Sequence, residues 1–335
     1  MTDFNNIMTI DEQISDDLML YIHTKKIPAI KSLIEALKEI FRDVNIKFTP
    51  KVEKPSEEDP SIMKVTGGMY ITALNSSSNI LVRLHLEAAK FCSYTCRPAE
   101  DKPYVMIGVN MSNLFKLIKF LNNDEELYIL YDKRSMNQLN LRYENKIKKL
   151  TTDYYLNLLD LNEENYNIER QQFDFVITMP SNDFHTLIKN MSVIAEQVDI
   201  KFINTSSGYS LSFNCRGEFA SQVSIFNGKT DGTSNDNMVN VIRNMDENVE
   251  DQNENKTENT VIQGVYELKS LSLFSRCSTL CPTIDLYIKN DSPLVIRYRV
   301  ADMGSVHLIL SPTNENDGID EGSDKDSDYE SGEDV

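Results

Sequence analysis

Basic side chains at helical spacing are the residues of this chain whose pattern most clearly suggests a chemical task. They recur in pairs three or seven residues apart, and both spacings put the two members on nearly one face of a helix. The pairs are Lys31 with Lys38, Lys116 with Lys119, and Lys269 with Arg276. Lys25 and Lys26 stand just before the first pair, and a further segment carries His185 and Lys189. Rows of lysine and arginine can hold anions, phosphate above all.

The net charge of −18 argues against a phosphate-binding protein, because phosphate contacts need Lys and Arg. Much of the acid, however, lies in two segments. Residues 313–335 hold ten acids and one Lys, and residues 228–260 hold eight acids and three bases. Both segments are too polar to bury a core and are predicted to be mobile. Without these segments, which carry −9 and −5, the remainder has a net charge of −4.

Common catalytic motifs do not occur in the sequence. The four histidines, which include His23, His85 and His307, stand in no HExxH motif, and neither GxSxG nor GxxxxGK[ST] is present. Twelve glycines are few for a phosphate-cradling fold. We therefore predict that the chain is not an enzyme and uses no cofactor. One alternative stays open, a nuclease-type cluster of carboxylates, because acids are abundant and the sequence does not place them.

The five cysteines include two CxxxC pairs, Cys92 with Cys96 and Cys277 with Cys281. Neither pair has a histidine nearby at zinc-ligand spacing, so we predict reduced intracellular thiols and no metal site. The acidic N-terminal sequence lacks the basic and apolar regions of a secretory signal. No apolar run approaches the roughly 18 residues of a membrane span, so no membrane partner is expected.

A repeat organises the chain. When the sequence is shifted by 154 residues, the apolar positions of 30–48 fall on those of 184–202. In both copies the apolar residues follow helical spacing and then alternate, in VNIKF (44–48) and VDIKF (198–202). Each copy therefore predicts a helix, a short turn and a strand. The second copy opens with the helix-start signal Pro180-Ser181-Asn182-Asp183.

A second helix and strand repeat at a shift of 159 residues. Residues 109–121 precede the strand 127–129, and residues 268–280 precede the strand 286–288. Two repeated pairs in the same order predict an α+β chain of two similar domains, built from sheets with a few helices on one face. Further strands are predicted at Gly68–Leu74, Ile80–Leu86, Gln138–Tyr143, Phe173–Met179, Tyr209–Asn214, Leu294–Val300 and Ser305–Leu310.

We predict five parts of the chain, with bounds that also rest on the family resemblance described below. These are an N-terminal extension (1–17), an N-terminal domain (18–154), a connector (155–172), a C-terminal domain (173–312) and an acidic tail (313–335). Residues 49–63 contain three prolines and several charges and are predicted to be an inserted loop. The connector is predicted to begin as a strand and to continue as an extended segment with apolar residues spaced along it.

Several stretches resemble one known family. They are EALK at 35–38, GVNMSNLFKLIK at 108–119, FDFVITMPSNDFHTLIKNMSVIAEQV at 173–198 and PLVIRYRVADMGSVHLILSP at 293–312. These stretches resemble the proliferating cell nuclear antigen family, the ring-shaped DNA sliding clamps, over residues 18–312. The resemblance implies the DNA clamp fold, a head-to-tail trimeric ring with outer sheets and inner helices, acting as a processivity factor for DNA polymerase.

The family resemblance gives the basic residues a role. It implies that they line the hole of the ring and contact the phosphates of duplex DNA without reading its bases. The implied DNA-binding residues are Lys25, Lys26, Lys31, Lys38, Lys116, Lys119, Lys189, Lys269 and Arg276. Thr186 departs from the family pattern, because Arg is usual at its position. A basic lining inside an acidic outer surface would reconcile the net charge with DNA binding.

The resemblance also implies how the ring closes. Edge strands of neighbouring subunits pair, and they map here to 149–158 and 217–225. The implied interface residues are Lys149, Thr151, Asp153, Tyr155, Gly217, Phe219, Ser221 and Val223. Pairing these edges also removes an aggregation hazard of the monomer.

A pocket for partner peptides is implied beside the connector. In the family it receives a short peptide with a glutamine and two aromatic residues. The corresponding residues are Leu74, Leu81, Tyr166, Ile168, Pro293, Ile309 and Pro312. Tyr166 and Asn167 depart from the common pattern, so the partner preference is open. Packing of the connector on its own sheet is the alternative explanation for its apolar residues.

The implied partners are further copies of the chain, duplex DNA, DNA polymerase, other replication and repair proteins, and an ATP-dependent clamp loader. The implied location is the nucleus or a cytoplasmic viral replication compartment. The absence of Trp and the abundance of Asn, Ile and Lys are typical of an AT-rich genome, such as that of a large DNA virus or a protist. Two alternatives stay open, a subunit of a heterotrimeric checkpoint-type clamp and a monomeric polymerase accessory factor.

Overall fold

The computed structural model describes residues 17–55, 63–75, 77–164, 166, 172–173, 175–228, 239–243 and 260–313. These residues form two halves, and each half contains nine strands and two helices in one order. That order is a strand, a helix, five strands, a second helix and three strands. The predicted repeat is therefore confirmed as a repeat of structure, and the chain has the predicted α+β class.

The first half begins at Leu18 and ends at Asn157. Its elements are β1 (Leu18–Thr24), α1 (Ile27–Ile40), β2 (Asp43–Pro55), β3 (Met63–Leu74), β4 (Ile80–Glu87), β5 (Ser93–Cys96), β6 (Val105–Asn110), α2 (Met111–Ile118), β7 (Glu126–Asp132), β8 (Gln138–Asn145) and β9 (Leu150–Asn157).

The second half begins at Phe175 and ends at Leu310. Its elements are β10 (Phe175–Pro180), α3 (Ser181–Ile194), β11 (Gln197–Thr205), β12 (Gly208–Arg216), β13 (Ser221–Gly228), β14 (Asn240–Arg243), β15 (Thr260–Glu267), α4 (Leu268–Ser275), β16 (Thr283–Ile288), β17 (Leu294–Val300) and β18 (Gly304–Leu310).

Antiparallel sheets join these strands, and one sheet belongs to both halves. Its nine strands follow the order β14-β10-β16-β17-β18-β4-β3-β2-β6. The halves meet where β18 pairs with β4, from Gly304 opposite Leu86 to Leu310 opposite Ile80. The other two sheets are β5-β1-β7-β8-β9 and β13-β12-β11-β15. Strand for strand, β9 is the counterpart of β18 and β13 is the counterpart of β4.

The first helices of the two halves match the predicted repeat. The bounds of α1 and α3 differ by 154 residues at both ends. Their buried side chains fall at the predicted positions, as Leu33 and Leu37 in α1 correspond to Leu187 and Met191 in α3. The burial of one apolar stripe on the sheets explains why these segments are helical.

The second helices correct the predicted shift of 159 residues, because α2 and α4 differ by 157 residues at both ends. Buried Leu114 corresponds to buried Leu271, whereas the shift of 159 had matched it to the half-buried Leu273. The helix α4 also ends at Ser275, and residues 276–279 form a 3-10 turn. Arg276 therefore lies just beyond the helix rather than on it.

The predicted loop at 49–63 is wrong for residues 49–55 and 63, which extend β2 and β3 as a hairpin. The prolines are tolerated because β2 pairs with β6 only up to Phe48, which leaves one edge of the extension free. Pro50 also lies where the register between β2 and β3 shifts, between Thr49 and Val52. Residues 56–62 lie outside the described residues.

One other prediction needs correction. The acidic segment 228–260 was predicted to be mobile, but Asn240–Arg243 forms β14 and pairs with β10. The predicted helix start at Pro180–Asp183 is confirmed, because α3 begins at Ser181, whose hydroxyl donates to the carbonyl of Cys281 at 2.6 Å. The predicted acidic tail beyond Thr313 and the extension 1–16 lie outside the described residues.

A buried carboxylate, that of Glu126, links several basic side chains of the first half. Glu126 on β7 accepts hydrogen bonds or ion pairs from Lys25 at 3.1 Å, Lys146 at 2.9 Å and His23 at 2.7 Å. Burial alone would raise the pKa of Glu126, but its bonds to Lys146, Lys25 and His23 lower it to about 2. The ionised form of Glu126 therefore stabilises the fold.

Replacement of Glu126 tests this contribution. Because the pKa is about 2 in the fold and 4.5 in the unfolded chain, the contribution is complete above pH 4.5 and is lost as the pH falls through 2. We expect Glu126→Gln to lower the free energy of unfolding at pH 7 by about 3 kcal/mol. The difference from the wild type should shrink between pH 4.5 and pH 2 in urea titrations. Glu53→Gln, on the exposed hairpin, is the control, and equal stability of both variants at pH 7 would contradict the assignment.

Candidate nucleic-acid interface and peptide groove

The four helices form one continuous layer. The helix α1 packs against α2, α3 packs against α4, and α1 also contacts the turn at 276–279 that follows α4. The order across the layer is therefore α2, α1, α4, α3. The layer brings together the basic residues that the sequence placed on four separate segments. Lys26 is the residue before α1, and Lys119 directly follows α2.

Several of the predicted cations already have partners within the chain. The Nζ atom of Lys26 bonds Asp302 at 2.6 Å, and the Nζ atom of Lys31 donates to the carbonyl of Leu121 at 2.9 Å. Lys25 is bound to Glu126, as described above. These three side chains hold the N-terminal part of α1 to neighbouring elements, so each must leave its partner before it contacts another anion.

Glu39 ties two more predicted cations together. It pairs with Lys38 on the same helix at 3.0 Å and with Arg276 in the turn after α4. The bond from Lys38, with the nearby charge of Arg276, lowers the pKa of Glu39. Lys38 also lies over the ring of Phe115, 4.4 Å from its centroid. Glu39 thus joins the helices of the two halves and neutralises part of their positive charge.

The remaining predicted cations are exposed. Among the described residues Lys189 and Lys269 have no ion pair. Lys116 bonds the Asn113 side chain, and Lys119 lies 5.1 Å from the Phe120 ring centroid. Thr186, the departure from the family pattern, is exposed on α3. These side chains can contact phosphates without first losing an acidic partner. The helix layer is therefore a weakly basic surface on an acidic chain.

An apolar row crosses the junction of the two halves. The strand register places Leu74 opposite Leu81, Leu81 opposite Ile309, and Ile309 opposite Val295. We call these four residues, on β3, β4, β18 and β17, the apolar row. Three of them were predicted as pocket residues. Val295 was missed, and its cross-strand position opposite Ile309 is the signal that would have found it.

The connector borders this row. The hydroxyl of Tyr166 approaches the backbone of Leu74 on β3 and donates a hydrogen bond to Glu164. Pro293 directly precedes β17, and Pro312 follows β18 by two residues. Ile168 lies outside the described residues. The predicted residues that can be placed thus collect around one end of the β3, β4, β18 and β17 strands.

The first part of the connector is held against the sheet. Leu159 donates its backbone N–H to Gly108 at 2.8 Å, and a Cβ atom on Gly108 would stand 2.3 Å from the Leu159 carbonyl oxygen. Only glycine permits this approach. Further along, Tyr104 donates to Glu163 at 2.6 Å. The connector therefore packs on its own sheet at one end, as the alternative explanation required, and reaches the apolar row at the other.

Two free edges carry exposed apolar side chains. The strand β9 ends the five-stranded sheet and β13 ends the four-stranded sheet. On β9 the predicted interface residue Tyr155 is 60% exposed, and on β13 Val223 is 63% exposed. Ile225 on β13 is exposed as well. Exposed apolar residues along an unpaired edge are typical of a site for another strand.

The remaining interface residues fall on or beside these edges. Thr151 and Asp153 lie on β9, Asp153 is held by Arg142 at 2.8 Å, and Lys149 is in the preceding turn with a φ of 50°. The predicted strand 217–225 is wrong at its start, because Gly217 donates to the Ala220 carbonyl in a tight turn. Gly217 and the exposed Phe219 belong to this turn, and Ser221 begins the strand.

The described residues show two features of the chain that bear on other functions. Within them, no three His, Cys, Asp or Glu side chains gather as ligands of a metal ion would. None of the described helices combines the length and the apolar character that crossing a membrane requires.

Comparison with known families agrees with the architecture. A model of the proliferating cell nuclear antigen N-terminal domain matches residues 58–166, and a model of the C-terminal domain matches residues 167–313. The chain belongs to the proliferating cell nuclear antigen family. The two matched regions of this family member meet inside the predicted connector, where the chain passes from the first half to the second.

Two viral proteins are similar to this member of the proliferating cell nuclear antigen family. One, from Acanthamoeba polyphaga mimivirus, is described as a probable DNA polymerase sliding clamp and is 29% identical over 322 residues. The match covers 89% of this chain and 63% of that protein, so the chain spans less than two thirds of its length. The other, probable DNA polymerase sliding clamp 1 of Paramecium bursaria Chlorella virus 1, is 25% identical over 297 residues, 89% of this chain and 98% of its own length.

Removal of Glu39 tests whether it restrains the basic layer. We expect Glu39→Gln to free Lys38 and Arg276, to raise affinity for duplex DNA about 3- to 10-fold at low salt and to steepen the salt dependence. Glu35→Gln is the matched control, because Glu35 is exposed on the same helix and has no ion pair among the described residues. Fluorescence anisotropy with a labelled duplex measures both. Equal gains for the two variants would show that only net charge matters.

Proposed function

We propose that this chain is a DNA sliding clamp, a processivity factor that encircles duplex DNA and tethers DNA polymerase to it. The family match and the names of the two viral relatives support this proposal. In this function the chain binds other macromolecules and catalyses no reaction. The observation that carries the proposal is that the strands β18 and β4, which pair inside the chain, have unpaired counterparts in β9 and β13.

Inside the chain, β18 of the second half pairs with β4 of the first half. Their counterparts in the repeat, β9 and β13, are each the unpaired edge strand of a sheet. A second copy can therefore place its β13 on β9 in the way that β4 lies on β18. Each such contact leaves an unpaired β9 on one copy and an unpaired β13 on the other. The interface is therefore heterologous, and the addition of copies stops only when a ring closes. The family resemblance favours closure with three subunits.

The repeat also specifies which residues meet. Transferred from β18 and β4, the register places Thr151 opposite Ile225 and Asp153 opposite Val223. The apolar side chains on β13 would then be covered by β9 of the neighbour. Burial of such side chains supplies the main driving force for a stable interface.

The helix layer would continue across the same contact. In the repeat, Val193 on α3 corresponds to Glu39, and Lys119 corresponds to Arg276. The Glu39–Arg276 ion pair joins the two halves within the chain. At the contact between chains, Val193, which is 72% exposed, would take the position of Glu39. Lys119, with the adjoining exposed Phe120, would take the position of Arg276. Val193 and Phe120 were missed from the sequence, because an exposed apolar residue on a helix becomes informative only once the layer is known.

A ring built this way would present its helix layer to DNA. The exposed cations then contact phosphates, while the acids of the described outer surfaces face away from DNA. The contacts can be weak, because topological linkage rather than affinity keeps the ring on DNA. Weak phosphate contacts without base contacts suit a ring that must slide along any sequence.

The apolar row would receive the partner proteins. Its four side chains and the adjoining connector form a surface for an extended peptide, here one with a glutamine and two aromatic residues. DNA polymerase and other replication or repair proteins would bind through such peptides. A closed ring also requires an ATP-dependent loader that opens it at DNA. The site of action would be the nucleus or a cytoplasmic viral replication compartment.

Disulfide crosslinking tests the proposed register. With exposed Cys92 replaced by Ser, we expect Thr151→Cys combined with Ile225→Cys to give covalent trimers on oxidation, visible on denaturing gels. Thr151→Cys with Val223→Cys is the matched control, because its cysteines would be diagonal neighbours about 7–8 Å apart. Crosslinking in the control but not in the first pair would contradict the register.

Threading onto DNA tests the function itself. One end of a linear duplex is fixed to a bead, the chain is allowed to thread onto the free end, and that end is then blocked with streptavidin. We expect the chain to resist a high-salt wash until a restriction enzyme cuts the duplex. The variant Val223→Arg, with a damaged edge, should wash off at once. Equal loss of the wild-type chain from blocked and unblocked DNA would refute encirclement.

A further inference from the structure

Three arginines lie beside the apolar row on the same face of the nine-stranded sheet. The register places Arg83, His307 and Arg297 side by side on β4, β18 and β17. Each stands two residues from a member of the apolar row, so both sets share one face. Arg299 lies two residues further along β17. We call Arg83, Arg297 and Arg299 the arginine cluster.

The arginine cluster has an excess of positive charge. Its one close acid among the described residues is the buried Asp285, which accepts from the Nε atom of Arg297 at 2.9 Å and lies 3.6 Å from Arg299. Arg83 is exposed and has no ion pair among the described residues. Burial and the neighbouring arginines lower the pKa of His307 to about 4, so His307 is neutral at pH 7. Three arginines against one aspartate leave two positive charges on this face.

A strongly acidic segment of the same chain starts close to this face. Thr313, the last described residue, is fixed by a bond from its N–H to the carbonyl of Val265 at 2.9 Å. Thr313 lies six positions after His307, and β18 ends at Leu310, so the two residues are at most roughly 20 Å apart. The acidic segment, residues 314–335, carries a net charge of −9 and can span up to about 70 Å. It can therefore reach the arginine cluster.

We propose that the acidic segment 314–335 binds the arginine cluster of its own chain and there competes with partner peptides for the neighbouring apolar row. Attachment gives the segment an effective concentration in the millimolar range, so even weak ion pairs keep it in place. A partner peptide must displace the segment, which raises the affinity that it needs. The competition rests on the proposed function of the apolar row, whereas the binding of the segment does not.

The binding of the segment is tested in trans. A fluorescent peptide of residues 314–335 is titrated with full-length chain whose ten acids in that segment are replaced by amides. We expect binding at low salt that weakens as salt rises, and a loss of about 10-fold or more in affinity with Arg83→Glu. Lys133→Glu, on the turn after β7, changes the charge equally and should leave binding intact. No binding, or an equal loss with both variants, would overturn the proposal.

The competition is tested with a probe peptide that contains a glutamine and two aromatic residues. We expect it to bind the chain with the neutralised segment several-fold more tightly than the wild-type chain, with the difference vanishing in high salt. Equal affinity for the two chains would overturn the competition. A probe that binds neither chain, while the 314–335 peptide still binds, would refute the proposed use of the apolar row and leave the binding of the segment supported.

Discussion

The pairing of β18 with β4 is the interaction on which the rest of the structure depends. It joins two copies of one architecture into a single nine-stranded sheet and brings the helices of both halves into one layer. It also assembles the apolar row, whose members come from β3 and β4 on one side and from β17 and β18 on the other. Because β9 and β13 repeat β18 and β4 without partners, the same interaction can operate between chains. One strand-pairing geometry thus accounts for the fold and would also account for the proposed partner surface and assembly.

Charge is distributed unevenly over the surfaces of the chain. On the helix layer, internal partners such as Glu39 hold some cations, and the exposed lysines leave a surface that is only weakly basic. In the proposed function such a surface would hold duplex DNA loosely, because strong phosphate binding would resist movement along the duplex. On the outer face, the arginine cluster lies beside an apolar row and within reach of an acidic segment of the same chain. The net charge of −18 therefore says little about either surface.

The sequence was sufficient for the features that depend on local periodicity. The apolar spacing predicted α1 and α3, and the alternation in VNIKF and VDIKF predicted the strands after them. The sequence was insufficient for features that tertiary contacts determine. The shift of 159 residues was wrong because two Leu-Phe pairs look alike in sequence although their burial differs. Residues 49–63 were predicted to be a loop because of their prolines, but a strand pair with a free edge tolerates proline. Ion pairs such as Glu39–Arg276 join residues far apart in the chain, and no local pattern reveals them. The predicted site roles of the individual lysines remain predictions.

The central claim, that the free edges of the chain pair with each other and close a ring, is tested most directly by the mass in solution. Light scattering after size exclusion, across a dilution series, measures it without labels or DNA. We predict one species with about three times the 38.4 kDa mass of the chain at every concentration, and a monomer when Val223→Arg disrupts β13. A wild-type chain that is monomeric at all concentrations, or that grows into open polymers without a fixed mass, would contradict the account.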